Sequence, residues 1–204
     1  MGFLIDVVGN LGVGKTTLAA QLAERLPATP YWESPTARPF QELFSENKPR
    51  WALANQLDFF MFRAEQEREG RETATIAIHD GGLDQDFNVF CRLMLEAGYL
   101  SNPEYDLCAR TYQLLRALLP PPELTVYLEA PVAVIQARRQ RRGRPNDDNI
   151  IALELLSRFQ VHLDHWLTAQ KGANLIRFAA GGAAFWDETA VDQLADEIRR
   201  RLGC

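Results

Sequence analysis

The sequence predicts an α/β fold, a parallel sheet of about five strands with helices on both faces. Three observations predict it. Short, nearly continuous apolar runs, the pattern of strands buried on both sides, recur along the chain. Stretches with apolar residues at helical spacing separate them. The first apolar run ends in a glycine-rich turn that opens directly into such a stretch. With 204 residues, one domain (1–204) around a single core is expected.

Phe3 to Val8, interrupted only by Asp6 and closed by Gly9, suits a buried parallel strand. Thr17 to Leu26 carries Leu18, Leu22 and Leu26 at helical spacing; Pro27 and Pro30 end it, and Tyr31-Trp32 starts a second extended piece. Trp51 to Glu69 reads as a long helix with Gly70 as its stop. Thr75 to His79 is the third strand, followed by helices over Gln85–Glu96 and Tyr105–Leu118. Pro120-Pro121-Pro122 precedes a strand at Leu124–Leu128, and Pro131 suits the first turn of the next helix. That helix runs into Arg138-Arg139-Gln140-Arg141-Arg142-Gly143-Arg144. Asn149–Gln170 reads as helix, Asn174–Phe178 as strand and Thr189–Leu202 as a closing amphipathic helix.

Gly9-Asn10-Leu11-Gly12-Val13-Gly14-Lys15-Thr16 fits GxxxxGK[ST] at every fixed position, between a strand and a helix. Such a loop turns backbone N–H groups inward onto phosphate oxygens, and the helix start at Thr17 adds its partial positive charge. Lys15 is expected to reach the β- and γ-phosphates and Thr16 to offer its hydroxyl to magnesium. This specifies the predicted fold as the three-layer P-loop NTPase type, with Mg2+ and a nucleoside triphosphate as cofactors. The loop alone does not separate GTPases, motor ATPases and small-molecule kinases. No guanine-reading Asn-Lys-x-Asp motif is present.

Composition narrows the field. Hydrophobic residues make up 47% and charged residues 24%, with a net charge of −5. That acidity disfavours nucleic-acid binding, the arginine cluster notwithstanding. Cys91, Cys108 and Cys204 show no CxxC spacing and read as reduced thiols. No stretch reaches the length of a membrane span, the first apolar run lacks a basic leader, and Asp6 stands where a myristoylation signal needs Ser or Thr. A cytoplasmic protein is expected. His162 and His165 share a helix face but lack a third ligand, and read as surface histidines; His79 reads as a strand-end residue packed against the loop. Trp32, Trp51, Trp166 and Trp186 read as core or interface residues.

Several further residues stand in suggestive places. Glu33 follows the second strand in Trp32-Glu33-Ser34-Pro35; alone it suits an exposed loop acid as well as a base in the crevice. Gln56 and Arg63 lie two helical turns apart on one face, and Asp86 precedes Phe90 by one turn. By themselves these suit a surface Arg and Asp beside a core Phe. The arginine cluster suits a solvated helix end. Taken together with the phosphate loop, the pattern resembles the deoxyribonucleoside kinases.

The resemblance implies transfer of the ATP γ-phosphoryl group to the 5′-hydroxyl of a purine or cytosine deoxyribonucleoside. It makes Glu33 the base, Gln56 the reader of the base edge, Arg63 and Asp86 a closing ion pair, and Phe90 the stacking ring. Arg138, Arg142 and Arg144 fall on the arginines of the family's lid (about 138–148), and Asp147 on the acid that binds the sugar 3′-hydroxyl. Asp80 is expected to attend magnesium. The resemblance also implies a homodimer built on exposed faces of the long helices.

Two positions depart from the family pattern. Where an acid-Arg-Ser motif is expected the chain has Asp80-Gly81-Gly82, losing an arginine that holds the base and the 5′-oxygen. Phe44 stands near the place of a tyrosine that bonds the 3′-hydroxyl. A charge-assisted bond contributes roughly 1.5–3 kcal/mol and a neutral one about 0.5–1.5 kcal/mol, so Gly81 weighs more. It leaves open an altered acceptor such as a nucleoside monophosphate or another small alcohol, a compensating arginine such as Arg63 or Arg142, or a weakly active subunit of a hetero-oligomer.

Overall fold

The computed structural model describes residues 2–33, 38–142, 153–170, 174–180 and 187–203, and of Arg142 the backbone alone. β1 (Phe3–Gly9) leads into α1 (Lys15–Arg25) and β2 (Ala28–Tyr31). Two helices follow, α2 (Pro39–Glu46) and the long α3 (Lys48–Thr73), and then β3 (Ile76–Asp80). After β3, α4 (Leu83–Gln85), a π-helical segment (Asp86–Cys91) and α5 (Arg92–Glu96) run on as one rod, followed by α6 (Asn102–Leu118). The rest is β4 (Leu124–Glu129), α7 (Val132–Arg142), α8 (Leu153–Ala169), β5 (Leu175–Ala179) and α9 (Glu188–Leu202).

The sheet is parallel with strand order β2-β3-β1-β4-β5. β1 therefore lies centrally, and the chain leaves it first toward one edge and later toward the other. Crevices open at the carboxyl end of strands at such a switch. Alternate residues of the central strands feed two cores. Ile5, Val7, Ile78 and Val126 pack with Leu18 and Leu22 of α1 and with Leu194 and Ile198 of α9. Val8 and Tyr127 pack with Val89, Leu93, Phe159 and Leu163. Two cores, one on each face, make the three layers. A third cluster, including Ala52, Phe60, Cys91, Met94 and Cys108, joins α3, the rod and α6.

Several boundaries differ from expectation for identifiable reasons. Gly70 does not stop α3: it is buried, and a Cβ there would stand 2.6 Å from Cβ of Ala77. Its role is to let the helix lie closely on β3. The second strand ends at Tyr31 instead of starting there, because Ala28 to Tyr31 pair with Ile76 to His79 despite Pro30; proline is tolerated on an edge strand. α6 starts earlier, at Asn102, because Ser101 and Glu104 form a capping box in which the Ser101 N–H donates to Glu104 at 2.7 Å. α2 has no counterpart among the expected elements, and none of its residues is buried. Trp166 is buried, Trp32 is exposed, and Trp186 lies outside the described residues. Among the described residues no helix is long and apolar enough to cross a membrane.

Candidate active site

The phosphate loop leaves β1 at the sheet's centre. Gly12 and Gly14 adopt φ values of +82° and +114°, a region that favours glycine. No side chain caps α1, so its first N–H groups face the loop's hollow, the arrangement suited to an anion. The loop is braced from outside. Gln85 accepts from the Gly9 N–H at 2.9 Å. The buried Asn10 side chain donates to the Leu156 carbonyl at 2.9 Å and to Gln160 at 3.1 Å, and it accepts from the Leu11 N–H at 2.7 Å. Asn10 thus contributes its backbone to the hollow and its side chain to α8.

Lys15 Nζ donates to the carbonyls of Gly9 (3.2 Å) and Asn10 (3.3 Å), so the ammonium lies folded onto its own loop. Burial pulls its pKa below the ordinary lysine range, with Asp80 and Glu33 opposing. Asp80 ends β3 opposite Val7 of β1, which brings it to the mouth of the loop. There Thr16 donates to Asp80 Oδ2 at 2.5 Å. Thr17 follows in the first turn of α1.

Within electrostatic reach of Lys15, Arg63 of α3 gathers three side chains. Its Nη2 donates to Glu33 at 3.2 Å, its Nε to Asp86 at 3.3 Å and its Nη1 to Gln66 at 3.2 Å. Gln66 in turn donates to the Trp32 carbonyl at 3.0 Å, steadying the segment before Glu33. Asp86 is buried, which pushes its carboxyl up to about 6 against the pull of Arg63. Gln56 is also buried and donates to Cys91 Sγ at 3.4 Å. Phe90 packs edge-on against Phe159 of α8, with ring centroids 5.1 Å apart. Phe44 meets the edge of Tyr99 at 6.3 Å.

Glu33, Arg63 and Asp86 are therefore brought into contact. Phe44 and Phe90 engage their own apolar clusters, α2 with Tyr99 and the rod with α8. Arg138 donates to the main-chain carbonyls of Val13 (3.1 Å) and Ala180 (2.9 Å), tying the phosphate loop to the end of β5. Arg144, Asp147 and the side chain of Arg142 lie outside the described residues.

Three contributors were not expected from the sequence. Gln85 supports Gly9 from a helix with no motif of its own. The side chain of Arg139, not Arg138, lies over Gly12, where an added Cβ would stand 2.8 Å from Arg139 Cγ. Arg38 is buried, its guanidinium 3.7 Å and 4.3 Å from the ring centroids of Phe62 and Phe59 and 3.2 Å from Asp58. The aromatic pair Phe59 and Phe62 just before Arg63 is the one hint of such a cation site.

A second set of polar residues is buried between β1 and β3. Asp6 of β1 and His79 of β3 are both buried, 3.4 Å apart. Burial, with Asp84 adding to it, pushes the Asp6 carboxyl up to about 7, and burial pulls the His79 imidazole down to about 3. Nearby, Arg116 of α6 bridges Glu67 (2.7 Å) and Asp84 (2.6 Å). His162 of α8 pairs with Glu96 at the end of α5 at 2.9 Å.

Known proteins resemble this chain in sequence and shape. The family model described as deoxynucleoside kinase matches residues 5–200. The chain is 22% identical to the deoxyadenosine/deoxycytidine kinase of Bacillus subtilis (strain 168) over 198 residues, covering 96% of this chain and 91% of the relative. It is 26% identical to the deoxyguanosine kinase of the same bacterium over 147 residues, covering 72% and 70%. Among solved structures, deoxyadenosine kinase from M. mycoides with the products dCMP and a flexible dCDP superposes with a TM-score of 0.81. That match has 16% identity and covers 97% of this chain and 100% of the other.

Proposed function

Because the chain belongs to the deoxynucleoside kinase family, we propose that it transfers the γ-phosphoryl group of ATP to the 5′-hydroxyl of a purine or cytosine deoxyribonucleoside, with Glu33 as the base. The observation that supports this reading is the chain of contacts from Glu33 through Arg63 to Asp86, near enough to the phosphate loop for both carboxylates to act on Lys15. The names of its relatives, which cover adenine, cytosine and guanine nucleosides, favour the same acceptors.

Glu33 is partly exposed at the end of β2, with its carboxylate held by Arg63. In the proposed reaction it takes the proton of the 5′-hydroxyl as that oxygen bonds to the γ-phosphorus. The bond to the β-γ bridging oxygen then breaks and ADP leaves. Lys15 exchanges the Gly9 and Asn10 carbonyls for phosphate oxygens, so its charge is delivered where negative charge accumulates. Thr16 and Asp80 bring a hydroxyl and a carboxylate together at the loop's mouth. These hard oxygen donors suit Mg2+, which binds through one or two such groups plus phosphates and water. When bound with ATP it supplies charge neutralisation at the phosphates.

Gln56, Arg63, Asp86 and Phe90 form the proposed base pocket, with Phe44 and Asp147 toward the sugar. Arg142 and Arg144 are proposed lid arginines, while Arg138 shapes the phosphate loop through the Val13 carbonyl. A homodimer is also proposed. Leu107, Leu114 and Leu118 recur at helical spacing on α6 and are 40%, 62% and 70% exposed, an apolar stripe that suits a second copy.

A panel of deoxynucleosides and their monophosphates with labelled ATP tests the acceptor. Deoxyadenosine, deoxycytidine or deoxyguanosine should be the best substrate, and Glu33→Gln should lower kcat by at least about two orders of magnitude. Absence of transfer from protein that still binds ATP, or faster turnover of monophosphates, would overturn the reading.

A further inference from the structure

We infer that Arg63 is a positioning residue that couples occupancy of the base pocket to the orientation of the Glu33 carboxylate. The inference rests on the reading of Glu33 as the base and deepens it. Arg63 sits near the middle of α3 and is 2% exposed. Its guanidinium is planar and rigid, and three of its nitrogens point at three different partners. Nε faces Asp86 on the π-helical segment, Nη1 faces Gln66 one turn along α3, and Nη2 faces Glu33 beyond β2.

A rigid plane fastened at Nε and Nη1 has its Nη2 direction set. Rotation that improves the bond to Asp86 moves the donor offered to Glu33, and the reverse holds equally. The backbone is shaped around this plane. Gly81, between β3 and α4, has a φ of +89°, and a Cβ there would stand 2.9 Å from Nη2. The missing side chain at position 81 is the space the guanidinium occupies.

Glu33 needs such a hold. Its side chain is 40% exposed, and it lies two residues beyond the end of an edge strand. Asp86 lies on the only π-helical segment among the described residues, an insertion of extra backbone that commonly marks a functional site. A nucleobase that draws on Asp86 therefore changes what Arg63 presents to the carboxylate that handles the proton. Base recognition is felt in kcat, not only in KM.

The test is steady-state phosphorylation of the best deoxynucleoside by full-length protein, with ATP affinity and thermal unfolding as controls. Asp86→Asn should lower kcat by about tenfold or more in addition to raising KM. In an Arg63→Lys background, where the ammonium cannot bridge the two carboxylates, Asp86→Asn should change kcat less than about twofold. An Asp86→Asn variant that raises KM and leaves kcat unchanged would overturn the coupling, as would an equal kcat loss in both backgrounds. Should Arg63→Lys fail to fold, the split between kcat and KM in Asp86→Asn decides alone. Glu33→Gln separates the levels. Unchanged turnover there removes the base assignment and the coupling with it, whereas lost turnover beside a kcat-silent Asp86→Asn removes the coupling alone.

Discussion

Gly81 shows how one residue sets the chemistry around it. The sequence presents it as a loss, a place where an arginine is expected and a hydrogen atom stands. The structure shows Arg63 lying against it, with the positive φ and the close approach both excluding a side chain. Gly81→Ala is expected to destabilise the protein by roughly 1–2 kcal/mol from backbone strain alone. It should lower kcat further by displacing the guanidinium from Glu33. Gly81→Arg should behave the same way and give no gain, because the incoming side chain and Arg63 compete for one space. Denaturant unfolding and steady-state kinetics on the two variants check this; a gain in nucleoside phosphorylation by Gly81→Arg would contradict it. At the same scale, the side chains of Asn10 and Arg138 brace the loop by donating to the Leu156 and Val13 carbonyls.

Between elements, the pair Asp6 and His79 joins β1 to β3 by burial instead of by charge. Below its ordinary value of 3.8, Asp6 is protonated folded or unfolded; as pH rises toward about 7 the unfolded chain releases a proton that the fold retains, so stability falls. His79 acts in the opposite sense. As pH falls from 6.5 toward about 3 the unfolded chain takes up a proton that the fold refuses, so stability falls with decreasing pH. From about pH 4 to pH 6.5 the two slopes oppose each other. Asp6→Asn removes the first, so this variant should gain stability with rising pH more steeply than the parent across that window. Urea titrations at several pH values measure the difference; parallel profiles would show that the pair does not titrate in this way. Element identity was largely legible because buried parallel strands make dense apolar runs. Element ends were not, since Gly70 is a contact with Ala77 and not a terminus.

At the scale of the molecule, the phosphate loop leaves the sheet's centre, and the Glu33–Arg63–Asp86 contacts join α3 and the rod to the segment after β2. Donor binding should therefore stabilise the whole fold by mass action. ATP with magnesium at a hundred times its Kd should add about 2.7 kcal/mol and raise Tm by several degrees. Lys15→Met should unfold near the parent Tm without nucleotide and show little of the shift, as thermal denaturation with and without ATP will read.

The sequence by itself determined the alternating strands and helices and the phosphate loop from Gly9 to Thr16. These are local properties: apolar periodicity follows from burial, and the loop's chemistry lies in contiguous residues. Only the tertiary structure decided that Arg63 faces Glu33 and Asp86 together, that Arg139 and not Arg138 covers Gly12, and that Gln85 carries the loop. Those contacts join residues far apart in the chain. Their geometry depends on how closely α3 and the rod settle on the sheet, a distance written in no single segment.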